Sequence, residues 1–184
     1  ATEEAVRHDI PVMIDLDFRA DQWHDPRAFG ITTRALLRSV SIAIGTEEEV
    51  LATMLTDPEQ ITIKHQQISA PEIRGDLNAS IQGILELGVD ALIVKRGSDG
   101  ATYFLPDGTS KDVPGFPVKI VNVLGAGDAF ATGFIYGQLK GWDWYKSCRM
   151  GNACGAIVVT EHGCANFMPH EQQTLDFIEA KGGF

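Results

Sequence analysis

The segment Val118-Lys119-Ile120-Val121-Asn122-Val123-Leu124-Gly125-Ala126-Gly127-Asp128-Ala129-Phe130 leaves the chain few choices. A β-branched run breaks on two glycines, and a helical pattern continues through Ala131-Thr132-Gly133-Phe134. Glycine at 125 and 127 allows backbone angles closed to other residues and lets a ligand come close to the main chain. The first turn of the following helix leaves N–H groups without intrahelical partners, and with the helix dipole these form an anion site. An ionised Asp128 in that turn would repel an anion if binding were its only task. Beside a phosphoryl group it makes sense as a proton acceptor. A bland alternative stands next to this one: Gly-Ala-Gly as a close-packed strand-to-helix turn, with Asp128 as a simple cap.

The rest of the chain alternates strand and helix patterns. Residues 1–9 read as the end of a helix, and Ile10 to Arg19 as a buried strand with a polar end. The stretch holding Trp23, Pro26 and Gly30 reads as loop, Thr32 to Val40 as helix and Ser41 to Ile44 as a short strand. Thr46 followed by Glu49 is a capping box opening a helix from Glu47 to Leu55. Residues 56–76 read as loop, Asn78 to Leu87 as an amphipathic helix stopped by Gly88, and Ala91 to Lys95 as a buried strand. Gly97 to Gly100 is a turn into a hairpin strand, Ala101 to Leu105. Val118 to Val123 reads as the strand feeding the glycine turn, with its helix running to about Lys140. Tyr145 to about Thr160 is a further helix rich in Gly151, Ala153, Gly155 and Ala156, which implies close approach of another backbone, protein or ligand. A last helix runs from His170 to about Lys181. Alternation of this kind gives an α/β layer fold with a mainly parallel sheet.

In such sheets ligands gather at the carboxyl ends of strands. The polar groups there are Asp15, Asp17 and Arg19, then Thr46 and Glu49, then Lys95 to Gly100, then Gly125 to Asp128. A structural role explains any one of these sets well and all four poorly. At 184 residues the chain suits one domain. Its net charge of −10 argues against nucleic acid or an anionic membrane surface as partner, so an anionic substrate needs a local positive site. Three cysteines without CxxC spacing point to reduced thiols and a cytoplasmic setting, with Cys148 and Cys154 as small core residues. No apolar run reaches membrane-spanning length. The chain opens without Met, on a helix pattern, as expected of the C-terminal part of a larger protein.

The stretch Asn122 to Phe130 resembles a signature of the ribokinase-like (PfkB) carbohydrate kinases, Asp-Thr-x-Gly-Ala-Gly-Asp-x-Phe. The resemblance extends in order along essentially the whole chain. Asp15-Leu16-Asp17-Phe18-Arg19 is similar to the family's Asp-x-Asn-x-Arg strand end, and Thr46-Glu47-Glu48-Glu49 to its Asn-x-x-Glu. Lys95 to Gly100 resembles its nucleotide-side glycine turn, and Asn152 with Thr160 to Cys164 its adenine side. The likeness implies a three-layer ribokinase-like α/β fold. Residues 1–184 would be the nucleotide-binding portion of a single kinase domain whose amino-terminal half and β-strand lid lie outside the chain.

It also implies ATP-dependent phosphorylation of a sugar or sugar-acid hydroxyl. Asp128 would be the base, and Gly125, Ala126 and Gly127 the anion hole. Lys95, Gly97, Gly100, Asn152 and Gly163 would border ATP. Arg19 and Asp17 would face substrate, and Glu49 would organise Mg²⁺ and its waters. A homo-oligomer of the full-length protein is implied as well. Two departures bear on this: Asn122 and Val123 replace the family's Asp-Thr, which puts a monovalent-cation site in doubt, and Thr46 replaces its Asn.

A dinucleotide-binding oxidoreductase is disfavoured, since Phe130 occupies the third glycine position of Gly-x-Gly-x-x-Gly and a bulky ring there blocks close helix–strand packing. A non-catalytic nucleotide-binding module is the other alternative. Trp142 and Trp144 read as packing anchors or part of a subunit contact.

Overall fold

The computed structural model of the chain describes residues 1–64, 70–163 and 165–184. Strands β1 (Met13–Asp15), β2 (Ile42–Thr46), β5 (Ala91–Lys95), β6 (Gly100–Phe104) and β7 (Ser110–Pro114) lie in that order in a five-stranded sheet. A second sheet pairs β3 (Ile61–Lys64) with β4 (Ala70–Ile73). Strand β1 is parallel to β2, with Met13 opposite Ile42 and Asp15 opposite Ile44. The architecture is α/β, with a mixed, mainly parallel sheet. The central strands are continuous apolar runs, fully buried at Ala43 and Ile44 in β2 and at Ala91 to Val94 in β5, as strands covered on both faces are.

The chain forms two compact units, Ala1–Val94 with Phe104–Ser110, and Lys95–Tyr103 with Lys111–Phe184. The first holds helices α1 (Thr2–Arg7), α2 (Pro26–Leu37), α3 (Glu47–Thr53) and α4 (Leu77–Leu85). Its core joins Leu16, Phe18 and Phe29 to Leu37, Val50, Leu55, Ile84 and Leu92. Helix α2 begins six residues before the expected Thr32. Asp25 caps it, accepting from the Arg27 N–H at 2.9 Å, and Pro26 takes the first position, where its missing N–H costs nothing. Residues 61–64 and 70–73 pair as antiparallel strands where the sequence reads as loop; part of that expectation, 65–69, lies outside the described residues.

The second unit is built on α5 (Ala126–Leu139), α6 (Trp144–Val158) and α7 (Glu171–Ala180). The small residues of α6 admit α5, so the approaching backbone is protein. A Cβ on Gly151 would lie 2.8 Å from the Phe130 carbonyl oxygen, and one on Gly133 would lie 2.7 Å from that of Met150. Gly137 sits equally close to Ser147. Around this seam Phe130 and Phe134 stack at 6.3 Å, and Phe134 stacks on Trp144 at the same distance. Trp142 packs edge-on against Tyr136 and Phe184, so both tryptophans anchor packing. Cys148 and Cys154 are buried, and burial pushes the Cys148 thiol up to about 12.

One expectation fails here. Residues 118–123 form no strand. The Val121 and Asn122 N–H groups both donate to the Val159 carbonyl, at 2.7 and 3.2 Å, so the segment is held by the end of α6. Ile120, Val121, Val123 and Leu124 are exposed.

The seam predicts opposite outcomes for two glycines of α6. Gly151→Ala should lower stability by about 1–3 kcal/mol through overpacking. Gly155→Ala, whose Cβ would meet only the Ala126 carbonyl at 3.4 Å, should be neutral or stabilising. Thermal unfolding of the two variants checks this; equal midpoints would contradict a backbone-close seam.

Candidate active site

Gly125 adopts φ +83 and ψ 0, a left-handed conformation that glycine takes without a Cβ penalty, and it caps α5. Before it, Asn122 builds the turn: its Oδ1 accepts from the Leu124 N–H at 3.0 Å, and its Nδ2 donates to the His162 carbonyl at 3.4 Å. The Ala126 N–H reaches the Val123 carbonyl at 3.3 Å, and the Ala129 N–H the Gly125 carbonyl at 2.9 Å. Gly127 and Asp128 follow in the first turn of a 14-residue helix, the end where N–H groups are left unpaired and the dipole favours an anion. Asp128 is exposed there. The Lys95 ammonium nitrogen lies 3.4 Å from where a Cβ on Gly127 would stand. A cation from the end of β5 and the opening of α5 thus stand close together.

The second glycine turn sits beyond Lys95. Gly97 has φ +57 and Gly100 φ +98, with Gly97–Asp99 forming one 3-10 turn closed by the Arg96 N–H on the Gly100 carbonyl at 2.8 Å. The end of β7 is pressed against it. A Cβ on Gly100 would stand 2.2 Å from the Val113 carbonyl oxygen, one on Gly115 would stand 2.3 Å from that of Ser98, and the Gly115 N–H donates to the Asp99 carbonyl at 3.2 Å. Asp112 adds a side-chain tie, accepting from Thr102 Oγ1 at 2.6 Å and from Arg96 at 3.2 Å.

Asn152, expected beside adenine, is buried, and its Nδ2 donates to the Val113 and Pro114 carbonyls at 3.0 and 3.1 Å. Its amide nitrogen is therefore committed to backbone. Gly163 lies under the Phe167 ring, 2.7 Å from the place of its Cβ. Phe167 is 40% exposed, an aromatic face on the loop expected at the adenine side, and nothing but its type marks it in the sequence. Arg149, buried on α6 and bonded to Pro114, is the other residue that sequence reasoning passes over; a charged residue among Cys148, Met150 and Gly151 is the signal that marks it.

In the first unit the expected residues fall in two local groups. Asp17, at φ +39, pairs with Arg19 at the end of β1, carboxylate to guanidinium at 2.7 Å. Both are half exposed, so the pair contributes about 0–1 kcal/mol to stability. The Thr46–Glu49 capping box is present in full: the Thr46 N–H donates to Glu49 Oε2 at 2.6 Å, and the Glu49 N–H to Thr46 Oγ1 at 3.3 Å. No group of three or more His, Cys, Asp or Glu side chains that could cage a metal occurs among the described residues. A Mg²⁺ fits these donors only in its usual manner, with one carboxylate, waters and nucleotide phosphates completing the shell. Two open hollows of about 240 and 320 Å³ are lined entirely by first-unit residues, none of them an expected site residue. No helix among the described residues is long and apolar enough to cross a membrane.

The fold that carries the two glycine turns is ribokinase-like α/β. Over residues 3–171 the chain matches the pfkB family carbohydrate kinases. The chain belongs to that family. It is 31% identical over 182 residues to the 5-dehydro-2-deoxygluconokinase of Clostridium tetani, covering 98% of this chain and 50% of that protein. Against the enzyme of the same name from Geobacillus thermodenitrificans it is 32% identical over 179 residues, covering 97% of this chain and 49% of that protein. Its fold is similar to that of an E. coli protein described as ribokinase II, solved in complex with ATP and Mg²⁺, at a TM-score of 0.79 and 26% identity, over 97% of this chain and 52% of that one. The chain spans about half the length of the curated relatives it matches.

The β7 contact with the second turn yields a contrast. Gly100→Ala meets both a forbidden φ and the Val113 carbonyl, so it should cost at least about 2 kcal/mol. Gly97→Ala, with open space around its Cβ, should cost about 1–2 kcal/mol. Urea unfolding of both variants decides; Gly97→Ala proving the costlier would mean that the two backbones are not in contact.

Proposed function

We propose that the protein carrying this chain transfers the γ-phosphoryl group of ATP to a hydroxyl of a sugar acid, with 5-dehydro-2-deoxy-D-gluconate as substrate and its 6-phosphate as product. The observation that carries this is the left-handed Gly125 opening α5, with Asp128 in its first turn and Lys95 beside Gly127. The sugar acid is supported by the names of the relatives and by Arg19, a guanidinium suited to a carboxylate or phosphate. The chain itself would be the nucleotide-binding portion of one kinase domain.

In this mechanism Asp128 accepts the proton of the sugar hydroxyl as its oxygen attacks the γ-phosphorus. The bond from that phosphorus to the bridging oxygen breaks, and ADP leaves with the electron pair. The Gly125-Ala126-Gly127 backbone, through N–H groups other than that of Ala126, which donates to Val123 here, and the Lys95 ammonium would face the charge on the group in flight; such preorganised donors and positioning are most of what phosphoryl transfer requires. Gly97, Gly100, Asn152 and Gly163 border the nucleotide. Mg²⁺, when bound through Glu49 and its waters, supplies neutralisation of phosphate charge.

Asp128→Asn in the full-length protein should keep ATP binding and lose turnover by on the order of 10²–10⁴-fold, read as ADP formation with the sugar acid. Full activity in that variant would remove the base assignment, and ATP binding without turnover in the unaltered full-length protein would favour the non-catalytic module.

A second expectation concerns monovalent cations. An amide at 122 carries no formal charge where the family pattern has a carboxylate, its Oδ1 is engaged by the Leu124 N–H, and Val123 offers no side-chain oxygen. Turnover should therefore be equal in potassium chloride and in choline chloride at the same ionic strength. Strong stimulation by potassium would show that backbone oxygens suffice for a cation site.

A further inference from the structure

Arg149 is 7% exposed, and the groups that hold it are unusual for a buried cation. Its Nη1 donates to the Pro114 carbonyl and its Nη2 to the Gly183 carbonyl, each at 2.8 Å. Its guanidinium lies 3.8 Å over the Phe116 ring. Its Nε has no hydrogen-bond partner, and no carboxylate among the described residues forms a salt bridge with it. Burial pulls its pKa below the ordinary arginine value, from which an arginine still stays charged. A buried charge without a counter-charge is costly, and filling space between helices needs only an apolar side chain. What Arg149 specifically supplies is a pair of charge-assisted hydrogen bonds to backbone carbonyls.

One of those carbonyls matters beyond packing. Pro114 also accepts from Asn152, three residues further along the same face of α6, and Asn152 reaches Val113 as well. Arg149 and Asn152 thus grip the end of β7 together. That end is in backbone contact with the Gly97–Gly100 turn, through the Gly115 N–H on the Asp99 carbonyl and the absent side chains of Gly100 and Gly115. No flexible side chain lies between them to absorb a shift. We infer that Arg149 is a positioning residue for the nucleotide turn: through Pro114 it sets where the Gly97–Gly100 backbone stands for ATP, without touching ATP itself. This rests on the kinase reading above and names how its nucleotide side is held.

The test is steady-state kinetics of the full-length protein with ATP and sugar acid varied separately. Arg149→Met should raise the KM for ATP by about 10-fold, as the loss of one charge-assisted bond behind the turn would. The sugar KM and kcat should stay within about twofold. Arg149→Lys keeps the charge and one carbonyl contact, and it should show a smaller rise in the same KM. It also serves if Arg149→Met does not fold. An ATP KM unchanged in Arg149→Lys and in any folded Arg149→Met overturns the inference, even if the unfolding midpoint falls, because a purely structural arginine would behave that way. Equal movement of both KM values overturns it too. If the unaltered protein neither binds nor consumes ATP, the kinase reading has failed; normal turnover by it, with an unmoved ATP KM in the variants, removes only the role of Arg149.

Discussion

Two helices can close to backbone contact only where Cβ atoms are missing, and the second unit depends on that condition between α5 and α6. Gly133 and Gly137 on one helix, and Gly151 on the other, leave room for the facing backbone. The tight seam holds the opening of α5, where the first glycine turn lies, in one arrangement with the face of α6 that carries Arg149 and Asn152. The same carbonyl-rich grip then passes through the end of β7 to the second glycine turn. Two turns far apart in sequence are therefore each connected to α6, one through the helix seam and one through the end of β7. Rigid support of this kind is what electrostatic catalysis requires, because donors that must reorganise lose most of their advantage.

Electrostatics sets the second condition. A chain with net charge −10 repels nucleotide phosphates at long range. At physiological ionic strength exposed charges more than about 8 Å away are largely screened, whereas a unit charge about 4 Å from a phosphate oxygen interacts by about 4 kcal/mol at an effective dielectric near 20. For a phosphate held at the turn as proposed, a few close groups would therefore outweigh the diffuse negative field. Lys95 beside Gly127 and the N-terminal end of α5 are such groups.

Local chemistry made much of this legible from sequence. The Gly-Ala-Gly-Asp opening, the Thr46–Glu49 capping box and the small-residue face of α6 are written in residue types that have one or two physical uses each, and the structure shows the backbone geometry for all three. What failed was set by tertiary contacts. Val118 to Val123 has strand composition, but β-propensity reports a half-buried pleated surface, and here two N–H groups are taken by Val159 while four apolar side chains stay exposed. Strand β7, Ser110–Pro114, is exposed apart from Val113, so its polar residues hid it. Asp25-Pro26 is a readable helix cap, but Pro26 and Gly30 also have the character of helix breakers. Arg149 could be noticed but not interpreted, since its partners are carbonyls 34 and 35 residues away.

Glu49 has a structural role, in the capping box, at a position proposed above to organise a metal. Its Oε2 accepts from the Thr46 N–H at 2.6 Å, the contact that opens α3. A direct bond from that oxygen to a metal would compete with the cap, whose loss costs about 1 kcal/mol. Mg²⁺ surrenders its waters reluctantly and is commonly held through them. On the reading proposed above, the box would favour a water-mediated role for Glu49 over direct ligation, because the Thr46 N–H holds the carboxylate while the Thr46 hydroxyl accepts from the Glu49 N–H.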